Sequence, residues 1–577
     1  MQSPLSQLSP FVLAAACGAF AAPLVPAQVS IEWQARTLSP NGINTSAMDL
    51  AVGPAGEVYV VVDDSFQVPF GGSVARAMLM RFDQGGALGW AREASLHSTF
   101  ARGAIEAGDG FVLAAGATFT TGVLRKYSSA GNLLWMATQP VAFTELIQNV
   151  APLALADGGV LVTTLSSDFG AQAQYVLYRY SSSGALQWSA PLLSGSLADG
   201  LAATAVGDNG DVLVTGFVAG NAVVSRRAAS GTPRWTDAFT IGTATYALGA
   251  CAVLHHSDVS ISGGADRASF PPTSYALVAH DAAGNRLWTH EIPFGAHFAV
   301  TSNDAIVVVS SIDAGASDRD VYLTRIDAAG NLAAPVQWVR AGDQTVRNIV
   351  AGDAGEVILA GSDGDTGFVA MFDAQVAFVW SASTTPPAQS IDEPRFLRRS
   401  NSGHIAVAGR AMSSTFSNSK VLAVALDATQ SPDGYCSAKL NSQGCLPTLV
   451  FSGLSSAAAT SGFTLSVERA LNQANGLFFY GLNGSSATPF QGGTMCLAPP
   501  RQRTPLLNSG GSPAPAVDCS GVLALDVNAF ASGALGGGAN PQLALPGQRV
   551  QWQCWSRDAS ASFGTSLSNA LSYVVLP

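Results

Sequence analysis

Short apolar runs bounded by turn-forming residues recur along most of this chain. Their length, their alternation of apolar and polar positions and their content of β-branched residues predict strands rather than helices. Eight of these runs follow a turn rich in glycine or aspartate, and eight others lead into a second turn. The first set comprises Glu57–Val62, Phe111–Ala115, Val160–Thr164, Asp211–Thr215, Asp258–Ser262, Ala305–Ser310, Glu356–Ala360 and His404–Ala408.

Tryptophan closes each repeated unit. Eight of the ten tryptophans lie 42 to 57 residues apart, and most of them end one phrase, as at 127–135 and 280–288. A shorter run of small residues precedes the first strand of a unit, as at 201–206. Four strands in each unit of roughly 40–50 residues are typical of a β-propeller blade. The eight are Trp33, Trp90, Trp135, Trp188, Trp235, Trp288, Trp338 and Trp380.

The two ends of the repeat are incomplete in complementary ways. The last copy, 404–426, has no tryptophan strand of its own, whereas 31–35 is a tryptophan strand with no blade in front of it. If the N-terminal strand completes the last blade, the ring closes without an exposed sheet edge. The sequence therefore predicts an all-β protein with an eight-bladed propeller over 28–430, and seven blades are the alternative.

Two repeated phrases resemble a known family. Asp-Ala-Ala-Gly-Asn-Arg-Leu-Trp at 281–288 and Gly-Glu-Val-Ile-Leu-Ala-Gly at 355–361 are similar to bacterial β-propeller repeats of the quinoprotein-like type, and the resemblance covers about 31–427. It implies the fold and not the chemistry. Quinone-dependent dehydrogenases of this kind need two adjacent cysteines, and this propeller has only Cys251. No quinone cofactor is therefore expected.

The composition changes after Thr429. Residues 431–577 hold most of the cysteines and predict a small β-sandwich. The phrases at 435–439 and 441–445 resemble a C-terminal module of many exported bacterial proteins. That resemblance implies a role in surface retention or sorting and no catalysis.

Short loops favour two disulfides in this region. The predicted pairs join Cys436 to Cys445 and Cys496 to Cys519, and they leave Cys251 and Cys554 as thiols. Spacing alone does not prove the connectivity.

The N-terminus has the pattern of a secretory signal. Residues 1–27 carry no charged side chain, and 11–25 is an apolar, alanine-rich run. The mature chain is expected to begin near Gln28, and a lipoprotein anchored through Cys17 is the alternative. No other stretch has the roughly 18–20 apolar residues that a membrane span needs. We expect a secreted or cell-surface protein.

Charge and motifs exclude several classes of function. The net charge of −11 without a basic stripe argues against nucleic acid as a partner. Adjacent His255 and His256 point to opposite faces of a strand, which is poor for metal binding. No cofactor is expected, although calcium at the aspartate-rich turns 362–365 and 313–320 stays open. The sequence has no serine-hydrolase elbow, zinc-protease helix or phosphate loop.

One set of polar residues is predicted to surround the mouth of the central channel, where the innermost strands begin. Arginines that converge there would bind a carboxylate or sulfate group through charge-assisted hydrogen bonds. The alternative is that these residues are separate, solvated strand ends. The set is Arg102, Asn149, Asp199, His297, Arg347 and Arg395.

The complete blade pattern without a catalytic residue set favours a monomeric, non-catalytic binding or scaffold propeller with a glycan or protein ligand. The alternative is a secreted carbohydrate-active or lactone-hydrolysing enzyme. That enzyme would need paired acids about 5–10 Å apart at the channel mouth.

Overall fold

The computed structural model describes residues 30–576 apart from 39–43, 54, 69–71, 97–101, 108–110, 118–121, 140–145, 150–151, 168–172, 196–199, 219–220, 242–245, 267–273, 294, 314–318, 341, 401–403, 414–418, 428–431 and 537. Eight antiparallel sheets follow one another along the chain up to residue 427, and further sheets follow them. No helix of the described residues is long and apolar enough to cross a membrane.

The first strand, β1, is Ser30–Thr37. Blades 1 to 4 follow, each written from its innermost to its outermost strand. Blade 1 is β2 (Asn44–Val52), β3 (Val58–Val68), β4 (Gly72–Phe82) and β5 (Leu88–Leu96). Blade 2 is β6 (Arg102–Ala107), β7 (Phe111–Ala117), β8 (Gly122–Tyr127) and β9 (Leu133–Gln139). Blade 3 has a divided inner strand, β10 (Leu146–Asn149) and β11 (Leu153–Ala154), then β12 (Val160–Ser167), β13 (Ala173–Tyr180) and β14 (Leu186–Gly195). Blade 4 is β15 (Gly200–Val206), β16 (Val212–Val218), β17 (Asn221–Arg227) and β18 (Pro233–Phe239).

Blades 5 to 8 continue in the same order. Blade 5 is β19 (Tyr246–Val253), β20 (Ser260–Asp266), β21 (Ser274–His280) and β22 (Arg286–Pro293). Blade 6 is β23 (Gly295–Val300), β24 (Ile306–Asp313), β25 (Arg319–Ile326) and β26 (Val336–Trp338). Blade 7 is β27 (Gln344–Ala351), β28 (Val357–Asp363), β29 (Thr366–Phe372) and β30 (Phe378–Ser383). Blade 8 contains β31 (Ser390–Arg399), β32 (Ile405–Ser413) and β33 (Ser419–Asp427).

The N-terminal strand completes blade 8. β1 pairs antiparallel with β33, and the sheet order is β1-β33-β32-β31. Arg36 on β1 also forms an ion pair with Asp392 of the innermost strand, with 2.8 Å between Nε and Oδ1, and the Asp392 side chain is fully buried. The predicted eight blades and their closure are confirmed, and the seven-bladed alternative is wrong.

Six of the eight boundaries between blades have the same construction. The tryptophan on the outermost strand of one blade packs against a positive-φ glycine in the last turn of the next blade. Gly284, with φ of 91°, shows why: a Cβ added there would lie 2.7 Å from the Trp235 ring. The indole Nε1 of Trp235 also donates to the carbonyl of Ala282 at 3.1 Å. The pairs are Trp33–Gly86, Trp90–Gly131, Trp135–Gly184, Trp188–Gly231, Trp235–Gly284 and Trp288–Gly330.

The boundaries of blade 7 depart from this construction. The glycine of its last turn is replaced by Val376, which is buried at φ of 62°. Trp338 of blade 6 instead packs edge-on against Phe368 and Phe372, with ring centroids 5.4 and 5.7 Å apart. Trp380 of blade 7 is fully buried. A β-branched residue at positive φ is unfavourable, so tertiary packing holds this turn in place.

Residues 432–576 form the C-terminal sandwich. One sheet contains β34 (Asp433–Tyr435), β37 (Asn475–Gly481), β40 (Gln502–Arg503), β41 (Leu507–Asn508), β43 (Arg549–Arg557) and β44 (Thr565–Val574). The other contains β35 (Thr448–Gly453), β36 (Phe463–Ala470) and β42 (Gly521–Asp526), and β38 (Ser485–Phe490) pairs with β39 (Gly493–Leu497) as a hairpin. A short helix α1 (Val527–Ala531) and 3₁₀ turns at Pro541–Ala544 and Ser562–Gly564 complete it. Phe463, Phe478, Trp552 and Tyr573 lie in its core.

The two disulfides join Cys436 to Cys496 and Cys445 to Cys519. The four cysteines are those predicted, but the predicted pairing is wrong. The bridges close loops of 60 and 74 residues and connect elements that are distant along the chain. The short turn at Asn441 brings Cys445 back without a disulfide: the Asn441 N–H donates to the Cys445 carbonyl, and the Cys445 N–H donates to Asn441 Oδ1. Cys251 and Cys554 remain thiols.

The sandwich docks on blades 6, 7 and 8, at the turns that follow the innermost strands. Asn303 of blade 6 donates to Glu468 at 2.6 Å. The guanidinium of Arg399 on blade 8 bridges Glu356 of blade 7 and Asp433 of the sandwich. Apolar residues of blades 7 and 8 and of the sandwich belong to one buried cluster. The starts of the innermost strands therefore lie on the opposite face from the sandwich.

Candidate functional site at the channel mouth

A β-bulge interrupts the innermost strand in seven of the eight blades. In each case one residue lies between two paired residues and has no partner of its own in the ladder. The innermost strand of blade 3 is divided at the corresponding place. Such bulges bend the strand and change the direction of a side chain. The bulged residues are Met48, Gly103, Ala202, Gly249, Ala296, Arg347 and Arg395.

Two of the predicted channel-mouth residues occupy this position in adjacent blades. Arg347 is the bulged residue of blade 7, and Arg395 is the bulged residue of blade 8. In the other five blades with a bulge, the bulged residue is methionine, alanine or glycine. Among the bulged residues, the two arginines therefore lie in neighbouring blades.

Of the four other predicted residues, the structure describes the side chain of His297. His297 follows the bulge of blade 6 and is partly buried. Arg102 begins β6 and Asn149 ends β10, but their side chains lie outside the described part of the molecule. Asp199 falls in 196–199, also outside the described residues. These three stay predictions.

The two bulged arginines share a buried carboxylate that the sequence did not suggest. Glu393 Oε1 lies 3.1 Å from Arg347 Nη2, and Glu393 Oε2 lies 3.1 Å from Arg395 Nη2. Arg410, which pairs with Glu393 across the strands, contacts the same Oε2 through Nε. Glu393 is 7% exposed, whereas the side chains of Arg347, Arg395 and Arg410 are 45%, 33% and 32% exposed.

The charges of this cluster do not balance. Burial raises the pKa of Glu393, but the hydrogen bond from Arg410 and the charges of Arg395, Arg410 and Arg347 outweigh burial and hold it below its ordinary value. The carboxylate is thus ionised at neutral pH. Burial and the charge of Arg347 lower the pKa of His297 to about 4, so its imidazole is neutral. Three guanidiniums around one carboxylate leave a formal excess of two positive charges.

The histidines at the face toward the sandwich bind protein groups. His255 Nδ1 lies 3.2 Å from Asp208, and His256 Nε2 lies 2.9 Å from the carbonyl of Ser302. Among the residues that the structure describes, no three potential ligands are grouped to hold a metal ion. Burial raises the pKa of the Cys251 thiol to about 12, so it is a poor nucleophile.

The carboxyl group of Asp63 has a raised pKa that is useful for acid–base chemistry. Burial and the charge of Asp64 raise the pKa of Asp63, on β3, to about 6. Neighbouring strand residues point to opposite faces, and Asp64 accepts a hydrogen bond from Thr45 at 2.8 Å. Asp63 and Asp64 therefore do not form a pair that flanks one substrate bond.

Neither a protein-family model nor a curated protein matches the sequence. Solved structures match with low similarity. The WD40 domain of SCAP from fission yeast is 8% identical over 68% of this chain and 94% of that one, with a TM-score of 0.41. Dihydro-heme d1 dehydrogenase NirN, in complex with DHE, is 14% identical over 65% and 77%, with a TM-score of 0.39. Puromycin hydrolase is 14% identical over 65% and 61%, with a TM-score of 0.38. At these TM-scores the likenesses carry no argument, and the propeller assignment rests on the sheet topology.

Proposed function

We propose that this chain is an exported, non-catalytic binding propeller that takes an anionic ligand on Arg347 and Arg395 at the channel mouth. One observation carries the proposal: a single buried carboxylate is surrounded by three guanidiniums, two of which, those of Arg347 and Arg395, lie at bulges of adjacent innermost strands. The apolar run at 11–25 and the two disulfides support export, since disulfides persist in oxidising compartments.

The geometry suits a carboxylate or sulfate group. Each guanidinium carries five N–H donors in a planar fork, and the two oxygens of Glu393 are shared among three such forks. Arg347 and Arg395 are partly exposed, whereas Glu393 is buried beneath them. A ligand anion can therefore share their remaining donors while Arg410 keeps Glu393 in place.

A thermal-shift titration of the chain from Gln28 with acidic and neutral glycans tests the proposal. A ligand at 100 times its Kd adds about 2.7 kcal/mol to the free energy of unfolding. We expect a shift with uronate or sulfated glycans and a weakening of about tenfold or more in Arg347→Gln and Arg395→Gln, because each removes a charged hydrogen bond.

Arg319→Gln is the matched control. Arg319 is 47% exposed, close to the 45% of Arg347, and it lies 3.1 Å from a carboxylate, that of the exposed Asp343, but it is on the third strand of blade 6. Its replacement should leave binding unchanged. Equal shifts with neutral glycans, or full binding by Arg347→Gln, would overturn the anion site.

A glycan- or lactone-cleaving enzyme is the second candidate, and the raised pKa of Asp63 is the observation that favours it. Glu393 does not suit a general acid, because its pKa is lowered. Product release from the same glycans or from lactones, abolished in Asp63→Asn, would establish the enzyme and replace the non-catalytic assignment.

A further inference from the structure

The turn between β43 and β44 holds an aromatic residue in an unfavourable conformation. Phe563 has φ of 64° and ψ of 8°, a region in which bulky side chains are outliers. Its side chain is 72% exposed, the highest value among the large hydrophobic residues of the described part of the chain. Contacts of this side chain within the molecule therefore offset little of the free-energy cost of the conformation. Residues in such unfavourable conformations often mark functional positions.

A network of hydrogen bonds fixes the surroundings of this turn. The ammonium group of Lys439 donates to the carbonyls of Gln491, Ser562 and Thr565 at 2.9, 2.6 and 2.7 Å. Gln491 lies at the tip of the β38–β39 hairpin and accepts a hydrogen bond from Trp555 Nε1 at 2.8 Å. Two neighbouring turns are thus held together, and the Phe563 ring lies beside Gly492 of the hairpin tip with most of its surface exposed.

The surroundings of this turn are basic. Lys439 Nζ lies 5.8 Å from the centre of the Phe563 ring, and Arg557 Cζ lies 5.6 Å from that of Trp555. The nearby carboxylate of Asp558 is buried and accepts a hydrogen bond from Ser442 N.

The sandwich is also less acidic than the propeller. Residues 432–577 contain six basic and five acidic residues, which leaves 22 basic and 34 acidic residues before them. An anionic surface would therefore attract this end of the sandwich and repel the propeller.

We propose that the basic aromatic tip, formed by Lys439, Leu440, Trp555, Arg557 and Phe563, docks on an anionic lipid surface. An exposed aromatic ring, an exposed leucine and the exposed guanidinium of Arg557 suit the headgroup region, where apolar side chains enter and arginine faces acidic lipids. The inference rests on the proposed export, and it does not depend on the channel-mouth site.

Co-sedimentation with vesicles tests this proposal. The chain from Gln28 is mixed with phosphatidylcholine vesicles with and without phosphatidylglycerol, since the apolar run before Gln28 would bind lipid by itself. We expect binding only when phosphatidylglycerol is present. Phe563→Asn should weaken it about tenfold or more, as burial of one aromatic side chain predicts. Arg557→Gln should weaken it about fivefold.

The same variant separates a docking role from a structural one. Asparagine tolerates positive φ, so Phe563→Asn should keep or raise the melting temperature while binding is lost. Leu133→Asn, at a leucine 52% exposed on the outermost strand of blade 2, is the control and should bind like the unaltered chain.

Equal binding to uncharged vesicles, full binding by Phe563→Asn or a lowered melting temperature of that variant would overturn the proposal, and so would an absence of vesicle binding. The channel-mouth titration uses soluble glycans and no vesicles, so failure of either proposal is seen separately.

Discussion

The two boundaries of blade 7 and the other six boundaries join neighbouring blades by different contacts. Six boundaries, including the one that closes the ring at Trp33 and Gly86, place an indole on a glycine of the next blade. The boundary between blades 6 and 7 uses clustered aromatic rings around Trp338 instead. The boundary between blades 7 and 8 carries ion pairs such as Arg347–Glu393 and Arg399–Glu356.

The difference shows that the repeat is altered where blade 7 contacts the sandwich. At the last turn of blade 7, the backbone N–H of Ala374 donates to the carbonyl of Phe451, and Asp373 Oδ2 accepts from the N–H of Gly453 at 2.9 Å. The sandwich thus supports a turn in which Val376 replaces glycine. The same two blades carry the bulged arginines, so the irregular boundaries coincide with the docked sandwich and the candidate site.

The largest loss of stability is expected when the strand that closes the ring is removed. A chain that begins at residue 38 lacks β1, which exposes the edge of β33, removes Trp33 and leaves the buried carboxylate of Asp392 without Arg36. An unpaired buried charge costs about 3–5 kcal/mol, and loss of a packed tryptophan costs a similar amount. Because domains are stable by about 5–15 kcal/mol, we expect most of the stability to be lost in urea unfolding.

Arg36→Met separates the two contributions. It keeps the strand and the indole but leaves Asp392 unpaired, so it should cost about 3 kcal/mol. A shortened chain that unfolds at the same urea concentration as the chain from Gln28 would show that β1 does not close the ring.

An alanine at one of the regular boundaries should have the next largest effect. Gly284→Ala forces a side chain to a φ of 91° and places its Cβ 2.7 Å from the Trp235 ring. Strain and overpacking together predict a loss of about 2–4 kcal/mol. Gly364→Ala is the matched control, because φ is 56° there and no atom lies within 4 Å of the added Cβ, so only about 1 kcal/mol should be lost. Equal losses in urea unfolding would show that the tryptophan contact does not constrain the glycine.

Most of the fold could be predicted from the sequence because each blade is one repeat of strands, turns and a tryptophan, and these repeats are recognisable along the chain. Trp33 without a blade and 404–426 without a tryptophan were enough to predict the closure. Arg347 and Arg395 were predicted as site residues because the sequence pattern placed them near the starts of innermost strands, and the structure places both at bulges of those strands. Glu393 and Arg410 were missed, although Glu393 lies two residues before Arg395, since their meeting depends on pairing between β31 and β32. The disulfide partners were missed for the same reason: they depend on contacts between distant segments.

The smallest loss of stability is expected from Glu393→Gln. Its dependence on pH should distinguish the boundary between blades 7 and 8, which carries ion pairs, from the six boundaries made by tryptophan and glycine. Glu393→Gln removes the carboxylate that Arg347, Arg395 and Arg410 share, at a cost of about 1–2 kcal/mol at pH 7. Because the folded pKa of Glu393 is lowered, its contribution is complete above the ordinary glutamate pKa of about 4.3 and is lost as the pH falls through the folded value. Urea unfolding at pH 7 and at pH values below the folded pKa should therefore show the variant approaching the unaltered chain in acid, whereas the deficit of Gly284→Ala persists. A deficit of Glu393→Gln that stays constant in acid would mean that shape, and not charge, holds blades 7 and 8 together.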